Sequence, residues 1–198
     1  LAINTKNYPI PTAVDLGLGV KWASSNLGAS EPEEYGKYYA WAGTTGYASS
    51  EPYDFSWENT PYCNNSNGNS WSKYTSGNAT LESADDAATV NLGGSWRMPT
   101  HVELEELDHK CTWTWCTQNG VNGYKVSASN GNWIFLPAAG YRYGTSSGGV
   151  GSYGRYWSSQ VGSSRVLYAW DMWFGSGYRY PEDDYRYYGF SVRPVYGP

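Results

Sequence analysis

The chain has 198 residues, of which only 16% are charged and 18% are aromatic, with eleven Trp, twenty Tyr and 24 Gly. The charged fraction lies below the usual quarter, and a net charge of −5 excludes the dense basic face that nucleic-acid binding requires. No apolar run approaches the roughly 20 residues of a membrane-spanning helix. A single domain of this length buries about 70% of its unfolded surface and folds without a metal or a disulfide.

In chain order, residues 1–12 read as an extended lead-in through Pro9-Ile10-Pro11. Ala13 to Gly28 alternates apolar and polar residues around glycines, which predicts a hairpin or two short strands. Ser30 to Gly36 reads as one helical turn, with Ser30 as its cap and acids in the first turn. Lys37 to Ala42 reads as a strand. Residues 43–77 show no periodicity and predict a long loop held by its own aromatics; within it, Asn64 to Ser70 is low in complexity and expected to be mobile. Leu81 to Val90 suggests a short helix. Thr100 to Lys110 is a capped helix: Thr100 and Glu103 form a capping box. Leu104, Leu107 and Cys111 share one of its faces.

Short strands are expected at Tyr124–Ser127, Trp133–Pro137, Tyr156–Ser159, Val166–Phe174, Tyr178–Tyr180 and Gly189–Val195. Few helices followed by many short strands give an α+β single domain.

Chemistry-bearing residues are few. His101 and His109 both lie on the capped helix and read as solvent-facing. No nucleophile elbow, zinc-protease pair or phosphate loop is present, so no catalytic residue is assigned. Asp85-Asp86 and Glu105-Glu106 are neighbours in sequence and read as solvated charges. Glu182-Asp183-Asp184 lacks the spacing of a calcium loop and reads as a polar loop tip. No metal or cofactor is assigned. Cys63, Cys111 and Cys116 are odd in number. Two readings stay open: Cys63 bridged to Cys111 or Cys116 in a secreted protein, or buried thiols.

The last third is the most informative. Residues 133–198 contain no Asn and no Lys, yet hold six of the seven Arg and eleven of the twenty Tyr. Rigid aromatics with small, adaptable polar residues make the palette of a binding surface. In Trp170 to Phe174, strand alternation puts Trp170, Met172 and Phe174 on a core face. Asp171 and Trp173 fall on the other, and Tyr178, Tyr180 and Glu182 share a face in the same way.

Several phrases resemble a known family: Val14 to Ser30, Tyr35 to Thr45, Gly93 to Thr100, Phe135 to Arg142, Gly151 to Ser159 and Ser191 to Val195. Together, in order along nearly the whole chain, they resemble the Fibrobacter-type major paralogous domain common in gut bacteria of the Bacteroides group. The resemblance implies a C-type-lectin-like fold of the kind shared with formylglycine-generating enzymes. That enzyme needs a reactive cysteine pair near its C-terminus. The last cysteine here is Cys116, so its activity is not carried over, and neither is the calcium loop of sugar-binding lectins.

A subset of such folds resembles the variable proteins of diversity-generating retroelements, in which adenines of a C-terminal cassette are mutagenised. An Asn- and Lys-free end rich in Tyr, Arg, Ser, Gly and Asp fits that process. The resemblance implies a cassette over 150–195 with fixed anchors: Tyr156 to Ser159, Ala169-Trp170, Met172, Phe174, Arg186 to Gly189 and Ser191 to Val195. The free, ligand-facing set would be Arg155, Gln160, Arg165, Leu167, Asp171, Trp173, Tyr178, Tyr180, Glu182, Asp183, Tyr185 and Phe190. The expected function is non-enzymatic recognition of a protein or glycan, at the cell surface, outside the cell or on a virion. The alternative is a carbohydrate-binding or adhesin module of fixed specificity. The chain begins at Leu1, not Met, and reads as a mature or trimmed piece.

Overall fold

The computed structural model describes residues 8–198; residues 1–7 of the expected lead-in lie outside them. In chain order the elements are β1 (Ala13–Val14), β2 (Lys21–Ala23), a 3-10 turn (Trp57–Asn59), α1 (Ala87–Leu92), β3 (Trp96–Arg97) and α2 (His101–Lys110). Then come β4 (Thr112–Gln118), β5 (Val121–Ser127), β6 (Trp133–Pro137), β7 (Tyr141–Tyr143) and β8 (Ser146–Gly148). The chain closes with β9 (Gly154–Val161), β10 (Tyr168–Gly175), β11 (Tyr178–Tyr185) and β12 (Val195–Tyr196). Among the described residues, four small antiparallel sheets form, ordered β1-β2-β12-β3, β11-β10-β9, β4-β5-β6 and β7-β8. The α+β reading holds. No helix among the described residues is long and apolar enough to cross a membrane.

The last strand closes the fold. β12 pairs with β2 on one side and β3 on the other. Buried Arg193 locks that closure: Nε donates to Asn26, Nη1 to the Ala23 carbonyl and Nη2 to the Phe135 carbonyl. Ahead of β12, the chain lies beside β9, where Trp157 N donates to Ser191 O and Ser191 N to Arg155 O. So residues 189–194, predicted as strand, are a covering segment fastened by single bridges at Gly189, Phe190 and Ser191.

α2 forms as the capping box dictates. Thr100 Oγ1 accepts from Glu103 N, while the Glu103 carboxylate accepts from Thr100 N. Leu104, Leu107 and Cys111 are buried against β5, β6 and Met172 of β10, forming one core cluster. A second cluster gathers Trp41, Trp157, Phe190 and Val192 with α1. Its two fully buried indoles are satisfied: Trp41 donates to the Ser158 carbonyl and Trp157 to the Tyr39 carbonyl.

Several sequence expectations are corrected. Residues 30–36 form no helix but a turn at 30–33 followed by irregular chain, because the Glu34 carboxylate accepts from the Ser30 and Glu31 amides and replaces a helical start. Residues 37–42 are not a strand; two bridges, Tyr38 to Tyr47 and Tyr39 to Phe190, hold them. Helix α1 starts only after Asp86, whose side chain accepts from Thr89 N. Asp85 and Asp86 are buried, not solvated. Asp85 accepts from the Tyr62 and Tyr74 hydroxyls and from Lys73, while Asp86 also receives Met98 N. The three cysteines are free, with burial pushing the Cys111 thiol up. Within Asn64 to Ser70, Asn65 Oδ1 accepts from the backbone of Asn67 and Asn69.

Candidate functional site

The sheet β9-β10-β11 carries the site, and its two faces differ in kind. Cross-strand partners share a face. Met172 is opposite Tyr156, and Phe174 opposite Gly154; this face packs into the α2 core, where Tyr156 and Phe174 stack at 5.7 Å. Trp170 belongs to the same face but sits at its margin, half-buried, with its ring stacked on His101 at 3.9 Å. His101 is therefore not solvent-facing: burial holds its pKa below the usual value against the pull of Glu105 and Asp183. His109 is exposed, as expected.

On the opposite face, Trp173 is paired with Arg155 and Tyr180, and Asp171 with Trp157 and Glu182. Ala169 faces Asp184, and Gly175 faces Tyr178. Gly175 matters because a Cβ there would come within 2.7 Å of the Tyr178 ring; only glycine lets that ring lie across the strand. Tyr178 and Tyr180 then meet Trp173 edge-on at 5.2 and 5.4 Å. Tyr153 reaches the same indole from the loop before β9, at 6.3 Å.

At the foot of these rings lies one arginine among three carboxylates. Arg155 Nε donates to Asp171 Oδ2 at 3.0 Å, Nη1 to Asp184 Oδ2 at 2.8 Å, and Nη2 to Glu182 Oε1. Its guanidinium carbon lies 5.1 Å from the Trp173 ring and 4.8 Å from that of Phe190. Burial works against the arginine's charge, but the Asp171, Asp184 and Glu182 charges outweigh it and raise its pKa. The acids go the other way. Burial holds Asp171 well above the ordinary carboxylate range, and also raises Glu182 and Asp184, despite the attraction of Arg155. Three acids share one cation, and desolvation outweighs pairing.

Above this floor opens a cleft of about 160 Å³ lined by Tyr141, Tyr153, Arg155, Trp173, Asp184 and Tyr188. Its aromatic border continues on one side through Tyr185 and Tyr187, stacked at 5.6 Å, to Trp57 of the long loop at 4.6 Å from Tyr187.

The structure divides the twelve sequence-derived positions. Tyr178, Tyr180 and Arg165 are exposed. Trp173, Glu182, Asp183, Tyr185, Leu167 and Gln160 are half-buried. Arg155 and Asp171 are buried and form the floor. Phe190 is wholly buried, stacked on Trp157 at 4.1 Å; it is core and does not face a ligand. Asp183 points to the other side of the sheet, paired with Trp170. Gln160 is engaged in accepting from His101 N at the start of α2, and Arg165 lies over Tyr168, away from the cleft lining. Glu182 to Asp184 is strand, not a loop tip. Sequence reasoning missed Tyr141, Tyr153 and Asp184, and took Tyr188, which lines the cleft, for a fixed anchor. Asp184 had a signal: it alternates in register with Tyr180 and Glu182. Of the expected anchors, Tyr156 to Ser159, Ala169, Met172, Phe174, Arg186, Gly189 and Ser191 to Val195 are buried, whereas Trp170, Tyr187 and Tyr188 are half-buried. No group of three or more His, Cys, Asp or Glu among the described residues is arranged to hold a metal ion.

A family model described as a domain of unknown function (DUF8237) matches residues 113–195, a span that begins in β4 and takes in the whole sheet and cleft. No curated protein and no solved structure matches the chain.

Proposed function

We propose that this is a non-enzymatic recognition domain with a C-type-lectin-like fold, and that it binds a protein or glycan through the Trp173, Tyr178 and Tyr180 face of β10 and β11. One observation carries the reading. Along the same strands, Met172 and Phe174 are fully buried while Tyr178 and Tyr180 stay exposed and Trp173 half-exposed. A cluster of large rings left this exposed on one sheet face is more than packing of the core requires. Such rings supply contact area at little entropic cost. The Fibrobacter-type resemblance supports the fold and a place outside the cell or on a virion. The Asn- and Lys-free run from 133 to 198 supports diversification by a retroelement.

The test is the variant carrying Trp173→Ala, Tyr178→Ala and Tyr180→Ala together, panned against a displayed peptide library and a glycan array. Binding is expected to vanish while the melting temperature falls by on the order of 5 °C, since exposed positions contribute little to stability. Binders that hold the triple variant as well as the parent would sink the reading. A separate check is the gene's flank: a near-copy of the 150–195 coding stretch, differing at adenines, is expected if the face is diversified.

A further inference from the structure

We propose that the cleft beside Trp173 takes a cationic side chain, the guanidinium or ammonium group of an arginine or lysine presented by a partner protein. The inference rests on the recognition reading above and names the chemistry that this site selects.

The charge arrangement comes first. Arg155 is already committed: Nε, Nη1 and Nη2 each donate to a carboxylate, so its charge is matched before any ligand arrives. Three acids around one base leave an acidic excess on this face. Residues 133–198 hold six Arg, but Arg155 alone among them lines the cleft. Arg179 is paired with Asp108 of α2 on the opposite face of the sheet. An anionic ligand would therefore meet the repulsion of the carboxylates, with no cation left unpaired in the lining to offset it.

Behind the cleft lining, one carboxylate oxygen is left without a donor. Asp171 is wholly buried, and its Oδ1 has no partner while Oδ2 is held by Arg155. Asp184, which accepts from Arg155, itself lines the cleft. A buried carboxylate oxygen without a donor is costly. A cation entering the cleft adds positive charge where the acids are least well neutralised.

The walls suit the same guest. Tyr141, Tyr153, Trp173 and Tyr188 surround the opening, and aromatic faces attract cations, more strongly as water is excluded. The volume of about 160 Å³ matches one long side chain, since a water occupies roughly 30 Å³. A neutral sugar ring would stack on the rings but leave the acidic excess unanswered.

The test uses the full chain and simple probes. n-Butylguanidinium and n-butylammonium are titrated while the Trp173 indole signal is followed by NMR, beside 1-pentanol and pentanoate as neutral and anionic counterparts of similar shape. The cations are expected to bind at least ~10-fold more tightly than pentanol, which corresponds to about 1.4 kcal/mol. Their binding should weaken as salt rises, and Glu182→Gln should weaken it further while the fold melts normally. Pentanol or pentanoate binding as well as the cations, a methyl glycoside binding better, or no probe moving Trp173 would each overturn the proposal. Panning a displayed peptide library separates its failure from that of the recognition reading. Binders lost in the Trp173→Ala variant but not enriched in Arg or Lys leave recognition standing and remove the cation; no binder dependent on the face removes both.

Discussion

Arg155 and Arg186 both leave water on folding, yet their surroundings are opposite. Arg155 has three carboxylates within bonding distance. Arg186 has none: Nη1 donates to the Tyr74 and Val166 carbonyls, while Nε and Nη2 have no partner. Indoles hold it instead, with Trp41 at 4.5 Å and Trp71 at 3.7 Å from the guanidinium carbon. The consequence appears in the protons. Neighbouring acids keep Arg155 charged, whereas burial lowers the Arg186 pKa to about 9. One arginine neutralises a cluster of acids at a binding face. The other pins the long loop, through Trp71 and the Tyr74 carbonyl, onto the segment that ends β11. A shared residue type in the same third of the chain therefore says little about role; the count of carboxylates around it decides.

That contrast breaks most visibly on removing the charge. Arg155→Met leaves Asp171, Glu182 and Asp184 facing one another in a partly dry site, and breaking a buried pair in this way costs about 3–5 kcal/mol at neutral pH. The loss should shrink on acidification, because the stranded carboxyls then take up protons. Urea unfolding of parent and variant at pH 7 and pH 4.5 checks this; an equal penalty at both would mean that the acids are not what Arg155 serves.

Arg186→Met should cost less, about 2 kcal/mol, since it strands two carbonyls but also removes an uncompensated buried charge. Its penalty should not change between pH 4.5 and 7, for want of a carboxylate partner. Above pH 9 a different linkage enters. The folded pKa of Arg186 lies below the unfolded one, so between them the unfolded chain holds a proton that the folded chain has lost. Stability of the parent relative to Arg186→Met therefore rises as pH climbs past about 9. Melting curves of the two proteins from pH 8 to 10.5 that stay parallel would refute the assignment.

How much of this was legible in sequence follows from the range of the interactions. Local signals were read well: the Thr100 capping box, the Leu104 and Leu107 face, and the alternation separating Met172 and Phe174 from Trp173 are all written within a few residues. The β4-β5 hairpin had such a signal too, in Asn119-Gly120, whose positive φ values of 46° and 82° make the two-residue turn that this pair favours. What failed was non-local. Glu182 to Asp184 reads as a polar tip until Arg155, 27 residues away, is folded against it. Phe190 alternates like a surface residue until Trp157 stacks on it. Residues 37–42 have strand composition, but their partners lie at 47 and 190 and allow single bridges only. Asp85 looks solvated until the long loop brings Tyr62, Lys73 and Tyr74 to it.

Asp171→Asn gives the smallest expected effect and the sharpest reading of the cluster. The amide keeps the volume and an oxygen for Arg155 Nε, while Glu182 and Asp184 still hold the guanidinium, so the loss at pH 7 should be about 1 kcal/mol or less. Its value lies in the slope. Burial raises the Asp171 pKa above its unfolded value. The stability that the protonated carboxyl contributes is therefore fully present below the unfolded pKa, near 4, and is lost as pH rises through the higher folded value. Asparagine cannot titrate and lacks this term. Between pH 7 and pH 4 the parent should thus gain stability relative to Asp171→Asn, even as other acids lose theirs in both proteins: Glu106 is held down by Lys110. Asp85, whose burial is outweighed by its bonds to Lys73, Tyr62 and Tyr74, loses its share likewise. Differential melts at matched ionic strength isolate the Asp171 cluster, because the titrations outside it cancel. A difference that stays flat would mean that Asp171 is ionised throughout, its charge held by Arg155 alone. The floor would then carry one more negative charge at every pH, and a cation would be drawn to it the more strongly.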